Sequence, residues 1–365
     1  LFKSKMKKNI LIFGAGAIGR GYLAPLMYEH GFRDISFVDK DKTLVKNLSK
    51  KGEYIAAITR GKKYKLIKIP IKKIFHTSDK IIISNYQIVF SCVGPNNCYD
   101  LVKFFKKART VISCENDITT VTKLRKLTGN ENIYFGIPDV ITSNSPPLFL
   151  KKKIDNFLTI SEEGILKLEK GNYYLPKKIR QLSTYSLNMH WRCKLFIHNA
   201  PHAITAYLGH LAKCKYIHNA MSELKISRIV HGAINEITQA VINANYATKK
   251  FAIFYKKKEL KRFKNNLLFD SIDRVARDPI RKLSKDNRIV LSLKMCLFNK
   301  NLPHNIATGA KAALLYNNIK DAESKVLISL RKKLGDSEVL EKICGIEKLD
   351  PLNNLILSKK INNLK

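Results

Sequence analysis

The chain has 365 residues, of which 45% are hydrophobic, enough for two domains that each bury a core. No apolar run approaches the roughly 20 residues needed to span a bilayer, so we expect no membrane-spanning helix. The first five residues are too short and too polar for a secretory signal, and Met6 is a candidate initiator, so we expect a cytoplasmic protein. The seven cysteines are scattered without a C-x-x-C pair, which excludes a zinc ribbon or a disulfide framework and predicts reduced thiols.

The formal net charge of +38 is extreme and raises the possibility of a nucleic-acid partner. Lysine greatly outnumbers arginine, however, whereas proteins that recognise bases and phosphates favour the bidentate fork of arginine. The lysines are also spread along the whole chain without interleaved aromatic residues. We therefore expect a solvated basic surface and no nucleic-acid partner, and keep a basic binding protein as an alternative.

The first half of the chain alternates short β-prone runs with helical stretches. Such alternation predicts right-handed crossovers and a parallel sheet with both faces covered. The predicted strands are 9–13, 35–38, 88–93, 110–113 and 157–162, with a basic β-prone run over 67–74 near a sheet edge. The predicted helices are 22–29 and 99–106.

Strand signals nearly vanish beyond a boundary that we place near 183–192. Apolar residues then recur at three- and four-residue spacing, as in amphipathic helices. The predicted helices are 203–212, 222–245, 307–316 and 321–334. We therefore expect two domains, 1–188 and 189–365, the second of them mostly helical.

A glycine motif, Gly14-Ala15-Gly16-Ala17-Ile18-Gly19, follows the first predicted strand and opens the first helix. Gly14 permits the tight turn, Gly16 lets the backbone approach a pyrophosphate, and Gly19 lets the helix pack on the strand. The helix N-terminus offers amides and a partial positive charge to phosphates. In this context the motif predicts a dinucleotide, and the fold class is a doubly wound α/β domain of the Rossmann type followed by a mostly α-helical domain.

Asp39 ends the second predicted strand, where a carboxylate accepts hydrogen bonds from the adenosine ribose diol and repels a 2′-phosphate. This favours NAD, although Lys40 and Lys42 leave some use of NADP open, and a solvated Asp39 is the alternative. A second glycine turn at Gly94 and Asn97 follows a later strand and is expected at the carboxyl edge of the sheet. The predicted cofactor contacts are Gly14, Ala15, Gly16, Ala17, Ile18, Gly19, Arg20, Asp39, Gly94 and Asn97.

The segment from Lys194 to His202 holds the groups that oxidation of an alcohol needs: a base, a donor for the developing oxyanion and polar groups that hold the substrate. Lys194 is expected just before a helix, with Asn199 and His202 on one face of its first turn. His198 and His202, four apart, are compatible with zinc, but the glutamate of H-E-x-x-H and a third ligand are missing. We therefore expect no metal.

Here the sequence resembles the polyol-specific long-chain dehydrogenases of the mannitol dehydrogenase family. Their signature is a lysine, an asparagine five positions on and a histidine three further, as in Lys194, Asn199 and His202. The resemblance covers most of the chain, from the glycine motif through 113–116 to 274–283. The family commonly has Asp-Arg where this chain has Asp139-Val140, and Asn-Thr-Gly-His where it has Asn199-Ala200-Pro201-His202; the first difference leaves the polyol uncertain.

The resemblance implies that Lys194 is a metal-independent general base, that Asn199 binds the carbinol oxygen and that His202 orients the substrate. A lysine can act in this way if burial and neighbouring positive charge bring its pKa toward ~7–8. The resemblance also implies that Asn116 and Asp139 contact substrate hydroxyls.

The chain length and local motifs match the phosphate-specific members of the family, which implies interconversion of D-mannitol 1-phosphate and D-fructose 6-phosphate with NAD(H). Arg281 and Lys282, with Arg277, form a candidate phosphate clamp; surface charges or ion pairs are the alternative for these residues. A reductase of an unphosphorylated polyol or uronate is the alternative enzyme. The expected partner is a small polyol phosphate, with no membrane, and the choice between monomer and homodimer stays open.

Overall fold

The computed structural model describes residues 8–171, 173, 179–362 and 364. The backbone contacts divide the chain into two compact units, Leu1–Asn188 and Met189–Lys365. We refer to them as the N-terminal unit and the C-terminal unit and describe each by itself.

The described part of the N-terminal unit contains two sheets. Eight strands form the larger sheet, in the order β12-β11-β8-β7-β6-β1-β2-β5, and four form the smaller sheet, in the order β4-β3-β10-β9. The strands are β1 (Asn9–Phe13), β2 (Asp34–Asp39), β3 (Glu53–Arg60), β4 (Lys63–Pro70), β5 (Lys73–His76), β6 (Ile88–Ser91), β7 (Val111–Ser113), β8 (Ile133–Pro138), β9 (Thr142–Ser143), β10 (Thr159–Glu162), β11 (Leu166–Glu169) and β12 (Arg180–Leu182).

The larger sheet is parallel from β5 through β8, while β11 is antiparallel to β8. Strand β1 lies between β2 and β6, with Ile12 opposite both Phe37 and Phe90. These side chains are buried, as expected of apolar strands covered on both faces. The chain order reverses on the two sides of β1, and ligands of open α/β sheets bind at the carboxyl end of such a switch point.

Helices connect these strands and end at identifiable signals. The first helix contains a π-helical turn (Gly19–Leu23) before α1 (Ala24–Glu29). Helix α2 is capped by Asp41, whose side chain accepts from the Leu44 amide, and it ends at Gly52 in the left-handed region. The α-helices are α1, α2 (Lys42–Lys51), α3 (Val102–Phe105), α4 (Thr119–Thr128) and α5 (Leu148–Lys153), with short 3₁₀ turns over Ile83–Asn85 and Asn97–Leu101.

The basic run predicted near a sheet edge belongs to two strands. Strand β4 is an edge of the smaller sheet and β5 is an edge of the larger one. Lysine-rich edge strands discourage pairing with another chain. The prediction of an edge is confirmed, whereas the single predicted strand is in fact interrupted after Pro70, which cannot donate to a ladder.

The C-terminal unit is helical over its described residues, apart from an isolated bridge between Tyr216 and Ser271. The mixed α/β and helical fold class predicted from the sequence is confirmed, and none of the helices that the structure describes is long and apolar enough to cross a membrane. The α-helices are α6 (Thr184–Cys193), which crosses the division between the units, α7 (Ala200–Leu211), α8 (Ile217–Ser222), α9 (Leu224–Asn243), α10 (Lys249–Phe263), α11 (Ile272–Ala276), α12 (Pro279–Leu283), α13 (Arg288–Phe298), α14 (His304–Leu314), α15 (Ala322–Leu334), α16 (Asp336–Val339) and α17 (Pro351–Leu357). Lys194–Asn199 and Leu340–Cys344 are π-helical, and Asn266–Leu268 is a 3₁₀ turn.

Candidate functional site

The glycine motif forms a tight turn after β1. Gly14 has a φ of 95°, and a Cβ there would lie 2.7 Å from the Cys92 carbonyl oxygen. A Cβ at Gly19 would lie 2.0 Å from the Gly14 carbonyl oxygen, which explains the close helix–strand contact. A Cβ at Gly16, by contrast, would meet nothing within 4 Å. The fold itself thus requires glycine at positions 14 and 19, whereas Gly16 borders an open space.

This space is part of a groove of about 530 Å³ in the N-terminal unit. Among the predicted cofactor contacts, Gly14, Gly16, Asp39 and Asn97 line the groove. The Asp39 carboxylate accepts from the Ala15 amide at 2.8 Å and the Asp41 amide at 3.0 Å, so it holds the glycine turn as well as facing the groove. The lining residues are Phe13, Gly14, Gly16, Val38, Asp39, Lys40, Thr77, Cys92, Val93, Asn97, Asp100, Leu101, Lys103 and Phe104.

Arg20, another predicted cofactor contact, is buried and is not among the lining residues. Its guanidinium donates to the Ala15 carbonyl at 2.6 Å and to the Phe157 carbonyl at 2.7 Å. The same group lies over the ring of Tyr54. In this structure Arg20 therefore ties the glycine turn to the chain before β10. Ala15, Ala17, Ile18, Gly19 and Gly94 also lie outside the lining set.

Sequence reasoning assigned no role to Glu115, a buried residue that supports the second glycine turn. Its carboxylate accepts from the Ser91 hydroxyl at 2.6 Å, the Val93 amide at 3.0 Å and the Gly94 amide at 2.8 Å. Burial raises the pKa of Glu115, and these three hydrogen bonds oppose that rise. Its position two residues after β7 was the available sequence signal.

Asn116 and Asp139, predicted to contact substrate, follow the neighbouring parallel strands β7 and β8. They therefore lie at the carboxyl edge of the sheet, as Gly14 and Gly94 do. Asn116 is exposed, whereas Asp139 is buried and accepts from the Lys167 ammonium at 2.8 Å. The two residues thus share an edge but differ in environment.

In the C-terminal unit, Lys194 begins a π-helical turn that runs to Asn199 and joins α6 to α7. The prediction placed Lys194 before the helix, whereas the structure places it inside a continuous helix. The turn that begins at Lys194 is wider than an α-helical turn, because its backbone hydrogen bonds join residues five apart instead of four. Such turns occur frequently at functional sites. Lys194, Asn199 and His202 are all buried. The Asn199 side-chain nitrogen has no hydrogen-bond partner among the residues that the structure describes.

His202 is held by a carboxylate that is distant in sequence. Its Nε2 lies 2.7 Å from Oδ2 of Asp270, which also pairs with Arg274. Burial would raise the pKa of Asp270, but the charge of Arg274 and the hydrogen bonds from Arg274 and His202 lower it to about 2. An ionised carboxylate only accepts, so in the neutral imidazole we assign the ring proton to Nε2, which makes Nδ1 an acceptor. The imidazole stacks on Phe263 with ring centroids 5.2 Å apart.

His198 forms a second buried pair one helical turn away. Its Nδ1 lies 2.6 Å from Oε2 of Glu259, whose other oxygen accepts from Arg262 at 2.6 Å. Burial lowers the pKa of His198 to about 4, so the ring is neutral near pH 7. Burial would raise the pKa of Glu259, but the charge of Arg262 and the hydrogen bond from His198 bring it to about 2. Sequence reasoning considered His198 only as a metal ligand and missed this pair.

Arg281 and Lys282, the predicted phosphate clamp, lie on α12. Arg281 donates to Asp278 at 3.0 Å, and Lys282 is buried. Helix α13 packs against both α12 and the π turn that carries Lys194. The described residues contain no group of three or more His, Cys, Asp or Glu side chains able to hold a metal ion, and the seven cysteines are present as thiols.

Both units match models of one protein family. The sequence model of the mannitol dehydrogenase Rossmann domain matches residues 8–133, and that of the mannitol dehydrogenase C-terminal domain matches residues 186–343. Mannitol-1-phosphate 5-dehydrogenase of Buchnera aphidicola subsp. Baizongia pistaciae is 32% identical over 93% of this chain and 94% of its own. The enzyme of that name from Bacillus velezensis is 30% identical over 96% of this chain and 99% of its own.

Solved structures share the fold. Pseudomonas fluorescens mannitol 2-dehydrogenase, in a ternary complex with NAD and D-mannitol, has a TM-score of 0.77 at 16% identity, covering 98% of this chain and 92% of that one. A D-sorbitol dehydrogenase has a TM-score of 0.66 at 16% identity, covering 96% and 91%. Since the two family models together match most of its length, the chain belongs to the mannitol dehydrogenase family of polyol dehydrogenases.

Proposed function

We propose that the protein oxidises D-mannitol 1-phosphate to D-fructose 6-phosphate with NAD, without a metal, and that the N-terminal unit binds NAD while the C-terminal unit supplies the catalytic groups. The observation that carries the proposal is the buried side-chain nitrogen of Asn199, a donor without a partner among the described residues, on the turn that begins at Lys194. A buried donor left unpaired is costly unless a ligand oxygen completes it.

The groove of the N-terminal unit fits a dinucleotide. Its backbone is open at Gly16, where a pyrophosphate needs close approach, and the Asp39 carboxylate has lone pairs left for a ribose diol. When bound, NAD supplies the hydride acceptor.

The C-terminal unit supplies the proton chemistry. The Lys194 amine would take the proton of the carbinol hydroxyl as that carbon becomes a ketone carbon and its hydrogen passes to the bound acceptor, which would leave the side chain as an ammonium. Asn199 donates to the carbinol oxygen as negative charge develops on it. His202, fixed by Asp270, holds a neighbouring hydroxyl through Nδ1. The relatives named mannitol-1-phosphate 5-dehydrogenase and the basic residues Arg281 and Lys282 support a phosphorylated substrate.

Replacement of Lys194 tests the mechanism. Lys194→Ala should lower kcat by roughly 10²–10⁴, the range for a lost general base, with little change in NAD affinity. The wild-type rate of oxidation should rise with pH, and this rise should vanish in the variant. Lys257→Ala, at an exposed lysine on α10, is the matched control. If Lys194→Ala instead raises KM with kcat and the pH profile preserved, Lys194 anchors the substrate and is not the base.

The substrate is tested with the same assay of NADH formation over a panel of phosphorylated and unphosphorylated polyols. D-mannitol 1-phosphate should be used far more efficiently than D-mannitol, and activity should persist in EDTA. Comparable kcat/KM for the two substrates would mean that the enzyme does not select a phosphorylated polyol. Loss of activity in EDTA that zinc restores would reverse the metal-independent mechanism.

A further inference from the structure

Helix α12 carries a buried lysine without a carboxylate partner. Lys282 is 5% exposed, and within the described part of the chain its ammonium forms no hydrogen bond or ion pair. Burial, followed by the charges of Arg288 and Arg281, holds the pKa of Lys282 well below its usual range. A protein seldom retains a buried cation of this kind unless an anion completes it.

A second cation, Arg288, lies at the start of α13, which packs on α12. Its Nε donates to the side chain of Asn287 at 3.0 Å, and it forms no ion pair with any residue that the structure describes. Burial, together with the charge of Arg281, lowers the pKa of Arg288 to about 10. Lys282 and Arg288 therefore lie on helices that pack together, and the charge of Arg288 disfavours the ammonium of Lys282.

The nearby carboxylates are already engaged elsewhere. Asp278 pairs with Arg281 at 3.0 Å and with Arg277 at 3.7 Å. Asp321 accepts from the Asp278 amide at 2.9 Å and caps α15. Glu323 accepts from the Arg281 amide at 2.9 Å. None of them forms an ion pair with Lys282 or Arg288 in the described structure.

Tyr207 on α7 adds a neutral donor to this cluster. Its side chain is fully buried, and its hydroxyl has no hydrogen-bond partner among the described residues. Burial raises its pKa well above the usual range, while the charges of Arg288 and Arg281 act in the opposite direction. The hydroxyl therefore stays protonated near two cations, and α7 packs against α13.

We propose that Lys282, Arg288 and Tyr207 bind the phosphate monoester of the substrate, an inference that rests on the proposed function and adds Arg288 and Tyr207 to it. A dianion with three acceptor oxygens matches two cations and one hydroxyl donor. Arg281 is already paired with Asp278. Arg288 is partly exposed, whereas Lys282 and Tyr207 are buried.

Kinetics with two substrates test the site. Lys282→Met and Arg288→Gln should each raise KM for D-mannitol 1-phosphate by about 10- to 100-fold, the effect of a lost charged hydrogen bond, and leave kcat/KM for D-mannitol unchanged. Tyr207→Phe, which removes only the hydroxyl, should raise the same KM by about 3- to 10-fold. Lys285→Met, at an exposed lysine three residues from Lys282, is the matched control and should behave as wild type.

A binding measurement separates this inference from the proposed activity. Inorganic phosphate should raise the melting temperature of the wild-type full-length protein and of Lys285→Met, and should have little effect on Lys282→Met or Arg288→Gln. Lys282→Met should also melt above the wild type without phosphate, because an uncompensated buried charge is removed. If the wild type shows no polyol phosphate activity but phosphate stabilises it through these residues, the anion site stands and the proposed substrate falls.

The opposite result overturns the site. Suppose that the three variants keep the wild-type KM for the phosphorylated substrate and the wild-type response to inorganic phosphate. Lys282, Arg288 and Tyr207 then do not bind phosphate. If Lys282→Met and Arg288→Gln fail to fold, the same result in Tyr207→Phe alone leads to this conclusion. A fall in stability in Lys282→Met with both responses retained would assign the lysine a structural role.

Discussion

In the N-terminal unit the candidate site is shaped by backbone, whereas in the C-terminal unit it is assembled from buried charged side chains. The groove at Gly14 and Gly16 owes its form to a turn of six consecutive residues. The pairs His198–Glu259 and His202–Asp270, by contrast, join residues 61 and 68 positions apart. A backbone site depends on space, and a site of buried ion pairs depends on charge compensation, so the two units should respond to mutation in different ways.

The substitution with the largest expected effect on stability removes the charge of Glu259. Glu259→Gln leaves the buried guanidinium of Arg262 without this carboxylate, and we expect a loss of about 3–5 kcal/mol in the free energy of unfolding. Glu163 pairs with Arg60 on the surface of the N-terminal unit, and Glu163→Gln should cost no more than about 1 kcal/mol. Denaturant unfolding measures both. Equal losses of unfolding free energy in Glu259→Gln and Glu163→Gln would mean that the buried pair of the C-terminal unit does not depend more on charge compensation than a surface pair does.

A pair of glycine substitutions examines the backbone site. Gly19→Ala places a Cβ 2.0 Å from a carbonyl oxygen and should cost about 1–3 kcal/mol of stability. Gly16→Ala meets nothing within 4 Å and should change the free energy of unfolding by less than about 0.5 kcal/mol. Because its methyl group would occupy the space proposed for the pyrophosphate, Gly16→Ala should nevertheless weaken NAD binding by at least about tenfold, seen in a fluorescence titration. Wild-type affinity in Gly16→Ala would place the pyrophosphate elsewhere.

The sequence predicted the parts of the N-terminal unit whose signals are local, but it missed β3, β8 and the separate smaller sheet. Strand β1, the glycine turn and Asp39 at the end of β2 follow from short apolar runs and residue types at fixed spacing. The buried position of Arg20 was not predictable, since its partner at Phe157 lies 137 residues away. Its residue type indicates a charged donor but does not say whether that donor points to a ligand or to a carbonyl.

In the C-terminal unit the sequence predicted helices that match α7, α9, α14 and α15, but it missed α10 and α13. It gave the spacing of Lys194, Asn199 and His202 but not the partners of these residues. Glu259 and Asp270 belong to other segments, and no period along the chain links them to His198 and His202. The π turn was also missed, because one extra residue in a helical turn does not disturb the apolar pattern enough to be recognised.

Acid should distinguish the buried pairs of the C-terminal unit from the groove. The folded protein holds the pKa of His198 at about 4, against about 6.5 in an unfolded chain. The unfolded chain therefore binds more protons between these values, and the free energy of unfolding should fall as pH decreases through this window. Glu259, with a pKa lowered to about 2, should add a further loss as pH falls below its usual 4.5. Each pKa unit corresponds to about 1.4 kcal/mol.

Denaturant unfolding at several pH values checks this dependence. Between about pH 6.5 and pH 4, the free energy of unfolding of His198→Gln should depend less on pH than that of the wild type, because the titrating ring is removed. The loss of stability at lower pH should persist. His210→Gln, at a histidine in contact with Asn317 near the surface, is a control for the removal of an imidazole and should keep the wild-type slope. An unchanged slope in His198→Gln would mean that other groups carry the acid sensitivity.

The smallest expected effect concerns the choice of cofactor, which we propose is set by Asp39, a charged side chain that lines the groove and holds the glycine turn. Asp39 accepts from the Ala15 amide through Oδ2, so Asp39→Ser would remove both the charge and this support. Asp39→Asn keeps an oxygen acceptor for the amide and removes only the negative charge that repels a 2′-phosphate. We expect the preference for NAD over NADP to narrow by about tenfold in Asp39→Asn, equivalent to about 1.4 kcal/mol, and further in Asp39→Ser as NAD affinity also falls. Lys40 lines the same groove, and Lys40→Ala in the Asp39→Asn background should reverse part of the gain for NADP. Kd values for both cofactors measure the effect, and a preference unchanged in all three variants would mean that the ribose diol is bound by another residue.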